Sequence, residues 1–220
     1  MAINESDCEI IETTFDFKNH WNEAYLNNKT EKLGWFEEKS EQTLILINKA
    51  KLSKDALILN VGAGSSTLID NLLTDDFSNI IANDLSEEAL ESLKNRVGEN
   101  DKVKFIVDDL LNPSKLNKLE NIDLWNDRAV LHFFLKEEEI KAYFNLLKKV
   151  LKANGFVIIS VFAKNGAEKC CGLPVKRYDV EMLENELGTD FELKKSFNYT
   201  FVNPFGADRP YIYALFQRIN

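Results

Sequence analysis

The sequence predicts an α/β fold: a doubly wound sheet of five parallel strands closed by a C-terminal antiparallel β-hairpin, seven strands in all, with helices on both faces and an N-terminal helical lid. Three observations carry this. From Ala56 to Phe162 short apolar runs alternate with helical patterns, the rhythm of βαβ units and hence of a parallel sheet. The first run ends on Gly62-Ala63-Gly64, a strand-to-helix turn. The last two strand-like runs, Phe191 to Tyr199 and Tyr211 to Gln217, are joined by Asn203-Pro204-Phe205-Gly206 with no helix between them, so they should pair as a hairpin.

Residues 17–50 read as helical in two pieces broken near Gly34, with Leu44, Ile47 and Ala50 at helical spacing. Ala56 to Val61 is the first strand, followed by the helical pattern Thr67 to Leu73. Asn79 to Ala82 is the second strand, and the helix from Ser86 opens with two acids in its first turn. Lys102 to Val107 and Ile122 to Trp125 are the third and fourth strands. An amphipathic helix, Glu137 to Leu151, then leads through Asn154-Gly155 into the fifth strand, Phe156 to Phe162. A short helix around Val180 to Leu187 precedes the hairpin. Right-handed crossovers place the helices on both faces.

The chain has 220 residues, enough for one well-buried core, and shows no repeat, low-complexity tract or linker. It reads as a single domain over residues 1–220, with a helical cap through residue 50 and a core over 56–217. The N-terminus lacks a basic head followed by an apolar block, and no apolar run is long enough to span a membrane. Three cysteines, Cys8, Cys170 and Cys171, suit free thiols in a reducing cytoplasm better than a disulfide framework. Two histidines and no CxxC leave little material for a metal site. A net charge of −9 argues against a partner whose phosphates must be neutralised, so a nucleic-acid partner is not expected.

In an open α/β sheet the ligand lies outside the C-terminal ends of the strands, beside the first one. Gly62-Ala63-Gly64 occupies that place, and glycine lets backbone approach a ligand with no Cβ in the way. Asp84 and Leu85 follow the second strand, where a carboxylate can accept from both hydroxyls of an adenosine ribose. The pattern also fits nicotinamide-dinucleotide domains, but the third glycine those favour is replaced here by Ser66-Thr67. Asp108-Asp109-Leu110 closes the third strand, either facing an adenine amino group or capping the strand. Asn126-Asp127-Arg128 puts polar groups at the ligand end of the fourth.

The order Asn60-Val61-Gly62-Ala63-Gly64, Asp84, Asp109-Leu110, Asp127-Arg128 and Asn154-Gly155 resembles the class I, seven-stranded S-adenosylmethionine (SAM)-dependent methyltransferases over about residues 17–217. Within that class, Trp21-Asn22-x-x-Tyr25, Trp125 to Ala129 and Gly172-Leu173-Pro174 are similar to the thiopurine-methyltransferase-like branch. The resemblance implies SAM as cofactor, with Gly62, Ala63 and Gly64 lining its methionine and ribose. It implies Asp84 and Leu85 at the ribose, Asp109 and Leu110 flanking adenine, Asn126 beside them, Trp21 in a lid over the cofactor, and Arg128 facing the acceptor. Asn60 departs from the class, which often has an acid there; asparagine keeps the hydrogen-bonding shape and drops the charge.

Methyl transfer from a sulfonium asks the protein mainly for alignment; a base is needed only where the acceptor must lose a proton. Asp127, Arg128 and His132 are the catalytic candidates. His132 lies among Leu131, Phe133 and Phe134, a setting that suits a core histidine, and Asp127 and Arg128 can instead pair with each other. Trp21, Tyr25, Trp35 and Phe36 are either an aromatic wall around the ligands or ordinary core. The chain has neither the Pro-Pro-Tyr/Phe run of base N-methylating enzymes nor a Pro-Cys dipeptide. A small thiol, amine, hydroxyl or carboxylate is the leading acceptor. A protein lysine on the same fold is the alternative, ahead of an NAD(P)-binding oxidoreductase or a non-catalytic SAM-binding module.

Overall fold

Along the central strands successive side chains turn to opposite faces, and both faces are buried. In the computed structural model, which describes residues 15–220, Leu59 and Val61 of β1 (Leu57–Val61) enter one apolar cluster and Ile58 enters the other. Cys8 and the segment read as lacking a leader lie outside the described residues. The first cluster is covered by α5 (Glu137–Val150) and α6 (Val180–Leu187). The second is covered by α2 (Glu41–Ala50), α3 (Leu68–Thr74) and α4 (Glu87–Val97). α1 (Phe17–Asn27) packs near α4, where Asn22 accepts from the Ser86 hydroxyl at 2.7 Å.

The seven strands run in the order β3-β2-β1-β4-β5-β9-β8. β2 (Asn79–Asp84), β3 (Val103–Val107), β4 (Ile122–Arg128) and β5 (Leu151–Phe162) are parallel to β1; β9 (Asp208–Arg218) is antiparallel to β5 and to the edge strand β8 (Phe191–Val202). The order in which strands are added reverses between the parallel strands β1 and β4, so their C-terminal ends open a crevice at the centre of the sheet. No described helix is long and apolar enough to cross a membrane.

Four details differ from the sequence reading. The break between the first two helices spans residues 28–40 rather than a point at Gly34 and holds only one 3₁₀ turn, Thr30–Lys32. β4 runs three residues further than its apolar core, because Asn126, Asp127 and Arg128 keep the ladder with β1 and β5. Asn154-Gly155 sits inside β5 as an irregularity rather than ahead of it: Asn154 has φ +63°, and the register with β4 shifts between Ile122 and Leu124. Lys169–Cys170 (β6) and Leu173–Pro174 (β7) form a small ladder around Cys171-Gly172, too short to leave a periodic signal.

Candidate active site

The site starts with the glycine turn. Gly62 and Gly64 have φ +55° and +52°, which costs an L-residue roughly 1–2 kcal/mol. Space excludes a side chain as well: a Cβ on Gly62 would overlap Val130 Cγ2, and one on Gly64 would overlap the Tyr25 hydroxyl. The turn is pinned from α4, where Arg96 donates to the Ser65 and Ser66 carbonyls, both at 2.7 Å, and pairs with Asp70 at 2.7 Å. Of Ser66 and Thr67, in place of a third glycine, Ser66 caps locally, its Oγ accepting from the Leu68 amide, while Thr67 donates to the distant Glu37 carbonyl.

Asp84 closes the turn from the end of β2. Its Oδ2 accepts from the Gly64 amide at 2.8 Å and its Oδ1 from the Ser86 amide at 2.8 Å. An ionised carboxylate has about four lone-pair sites, so capacity remains for a diol on the cavity side. Burial pushes the Asp84 carboxyl up to about 6, against the opposing pull of those amides.

The cavity before this turn measures about 1050 Å³ together with its solvent-open mouth. Asp84, Leu85, Asp109 and Leu110 line one side, and Trp21, Tyr25 and Trp35 close the other. Trp21 packs edge-on against Trp35 and Phe133, with ring centroids 5.7 Å and 5.0 Å away, and Trp35 Nε1 donates to the Tyr25 hydroxyl at 3.2 Å. The Asp-Asp pair divides its work. Asp108 is buried and accepts from the Ser114, Lys115 and Leu116 amides, holding the loop after β3, whereas Asp109 lines the cavity.

At the end of β4 adjacent residues face opposite sides. Asp127 is fully buried beneath the sheet. It accepts from the Val130 and Leu131 amides at 2.9 and 3.0 Å and from the Tyr143 hydroxyl at 2.7 Å. Burial raises it to about 6. It shapes the turn carrying Val130 and does not line the cavity. Arg128 lies on the cavity side. It pairs with Glu37 at 3.0 Å, donates to the Trp35 carbonyl at 3.0 Å, and stacks near Phe201 and Tyr211. Asp127 and Arg128 therefore do not pair with each other. Burial opposes the Arg128 charge, but the surrounding Tyr213, Glu37 and Tyr211 more than offset it. Arg128 Nη2 is buried without a partner.

Below the glycine turn a smaller pocket is lined by Asn60, Asn126 and Arg128. Asn126 donates its amide to Asn60 Oδ1, leaving Asn126 Oδ1 buried and unpartnered. His132 is fully buried, stacked on Phe162 at 4.7 Å, and lines neither cavity. Burial and Arg128 push it down to about 3, so it is neutral at working pH. Neither ring nitrogen has a partner. Among the described residues no group of three or more His, Cys, Asp or Glu is placed to hold a metal ion.

Sequence reasoning brought Trp21, Gly62, Asp84, Leu85, Asp109, Leu110 and Arg128 into one cavity. Ala63 lies behind it with Asn126 in the lower pocket, and Gly64 is covered by Tyr25. It missed Glu37, Arg96 and Val130. Glu37 and Arg96 carry no local signal, since their partners are distant in the chain; Val130 reads only as another apolar residue after β4.

The seven-stranded sheet, mostly parallel with an antiparallel C-terminal pair and flanked by helices, is the Rossmann-like fold that methyltransferases share. Residues 59–159 match the family model described as a methyltransferase domain. The chain is similar to EEF1A lysine methyltransferase 2 of Danio rerio, 32% identical over 134 residues that cover 57% of each chain. It is also similar to malonyl-[acyl-carrier protein] O-methyltransferase 2 of Ilyobacter polytropus, 26% identical over 61% of this chain and 46% of that protein. The chain thus spans about half the length of the curated relatives it matches. In fold it superposes on the N-methyltransferase NodS of Bradyrhizobium japonicum in complex with S-adenosyl-L-homocysteine, with a TM-score of 0.71 at 12% identity, covering 92% of this chain and 98% of that one.

Proposed function

We propose that this chain transfers the methyl group of SAM to an amine, the side chain of a protein lysine. One observation carries the donor half: Arg128 Nη2 and Asn126 Oδ1 are buried and unpartnered, and both residues line the pocket beside the glycine turn. A lone cationic donor and a lone acceptor are what the carboxylate and ammonium of a methionine end require, and buried polar groups are rarely left unpaired. Asp84 would take the ribose hydroxyls, and Leu85, Asp109 and Leu110 the adenine. When bound, SAM supplies an electrophilic methyl with its leaving group built in. The chain's own part is to orient, to exclude water through Trp21, Tyr25 and Trp35, and to hold a dry acceptor site.

For the acceptor, the likeness to lysine methyltransferases favours an amine. The cavity wall suits one: its aromatic faces attract a cation, and Asp109 and Glu139 line it alongside a single basic side chain, Arg128. Desolvation there would lower the ammonium pKa and favour the neutral, nucleophilic amine. Burial holds the Tyr25 phenol well above its usual range, which makes it a hydrogen-bond donor rather than a base.

A second reading, a small acceptor as in the thiopurine-methyltransferase-like branch, is supported by the aromatic cover that Trp21 and Tyr25 of α1 place over the cavity. In either case residues 56–217 are the catalytic core and the helices before them its cap. The unpaired Cys170 and Cys171 suit a reducing cytoplasm. Labelled-methyl transfer from SAM to an EEF1A protein, set against small thiols, amines and acids, tests the acceptor. Calorimetry with S-adenosylhomocysteine against NAD tests the donor; tight NAD binding without S-adenosylhomocysteine binding would overturn the proposal.

A further inference from the structure

We infer that a groove beside the free edge of the sheet seats an extended, lysine-rich segment of a protein substrate; this rests on the lysine reading above. β8 ends the strand order, so along one side its backbone N–H and C=O groups have no strand partner among the described residues. Such edges are normally blunted by lysines or bulges. The first half of β8 follows that rule, with Lys194, Lys195 and a register shift between Leu193 and Lys195. The second half, Ser196 to Val202, carries no charge, and its Tyr199 and Val202 are 38% and 57% exposed. An unprotected strand edge is a template for an added strand.

The groove alongside is shallow and open to solvent. Tyr199 and Phe201 form one wall. The other carries the carboxylates of Glu31, Glu38 and Glu41 against the single ammonium of Lys39, the Glu37 carboxylate being already paired with Arg128. Backbone pairing would supply affinity without sequence preference, while the acid rim and aromatic faces select lysine and arginine. The inner end of the groove touches the site: Phe36 and Glu37 also line the pocket holding Gly62 and Arg128, and Glu37 is the ion-pair partner of Arg128. A segment lying along β8 therefore passes the mouth of the catalytic region. A second copy of this chain fits poorly, because the exchange would set one acid rim against another in a protein of net charge −9.

The test uses the full chain and a fluorescent Lys-rich decapeptide, with a Glu-rich peptide as control. Glu31→Lys combined with Glu38→Lys reverses two exposed charges outside the cofactor cavity; Glu41 is left alone because it stands in the first turn of α2. Anisotropy should show the wild type binding the Lys-rich peptide alone, with affinity falling as salt rises. The double variant should lose about tenfold or more, with S-adenosylhomocysteine affinity unchanged by calorimetry. Asn198→Pro, on the exposed strand, should weaken peptide binding again by removing an edge N–H. Peptide binding by a chain that transfers no methyl to the EEF1A protein but does so to a small acceptor upholds the groove and sinks the lysine acceptor. Failure of the wild type to bind the peptide, or equal binding by both variants, overturns the groove. So does a salt-insensitive dimer that dissociates on Asn198→Pro while peptide binding stays constant.

Discussion

Arg128 and Glu37 form a 3.0 Å ion pair between the two pockets of the site, tying the end of β4 to the loop before α2. The pair is mostly shielded from solvent, with side chains 14% and 12% exposed. Burial raises the Glu37 carboxyl while Arg128 pulls it back down. Removing one partner of such a pair leaves the other charge uncompensated. Glu37→Ala should cost about 2–4 kcal/mol of stability, read from denaturant unfolding, and should weaken S-adenosylhomocysteine binding by displacing Arg128. Glu37→Gln, which keeps the shape, should cost less.

Asp84→Asn should lower SAM affinity about 10- to 100-fold, the worth of one or two hydrogen bonds to a charged group. The pH dependence has two opposite signs. The Asp84 carboxyl titrates near 6 in the folded protein, above its ordinary value of 3.8, so its contribution to ligand-free stability is greatest below about pH 4 and is lost as pH rises through 6. Cofactor binding uses the ionised form, so SAM affinity should rise through pH 6 and level off above 7. Calorimetry from pH 5 to 8 checks this; an equally steep rise in the Asn variant would assign it to another group.

Gly64→Ala meets both a left-handed backbone and the Tyr25 hydroxyl. It should reduce SAM affinity at least tenfold, given a strain of roughly 1–2 kcal/mol plus displacement of Tyr25. In a Tyr25→Ala background the same change should cost less, since the overlap is gone. Non-additivity in that double-mutant cycle measures the contact.

His132→Phe should preserve methyl transfer and leave its pH profile unchanged. The imidazole is neutral, stacked on Phe162, and lines neither cavity. Removing two unpartnered nitrogens should leave stability equal or raise it by up to about 1 kcal/mol. A rate loss of a hundredfold in a folded variant would restore His132 as a base.

Much of the sheet was legible because its signals are local. Apolar runs of strand length, Gly62-Ala63-Gly64 after the first of them, and the helix-free stretch between the last two each declare themselves within a few residues. The boundaries were less legible: Asn126 to Arg128 look like loop by composition and are strand because β1 and β5 hold Asn126 and Asp127 on both sides and β5 holds Arg128 on one. The Asn154-Gly155 signal was real, but pairing of Leu151 with Ile122 turned it into an irregularity within the strand.

The site divides in the same way. By itself the sequence determined which residues stand at the C-terminal ends of β1, β2, β3 and β4, since the succession of strands along the chain and their period follow from local pattern. Only the tertiary structure decided what those residues touch. Asp108 and Asp109 are equivalent as letters, yet the loop after β3 turns one into a structural role and the other to the cavity, and the pleat of β4 does the same to Asp127 and Arg128. Glu37 meets Arg128 and Tyr25 meets Gly64 for the same reason: long-range packing, rather than local preference, sets which distant groups share a buried volume.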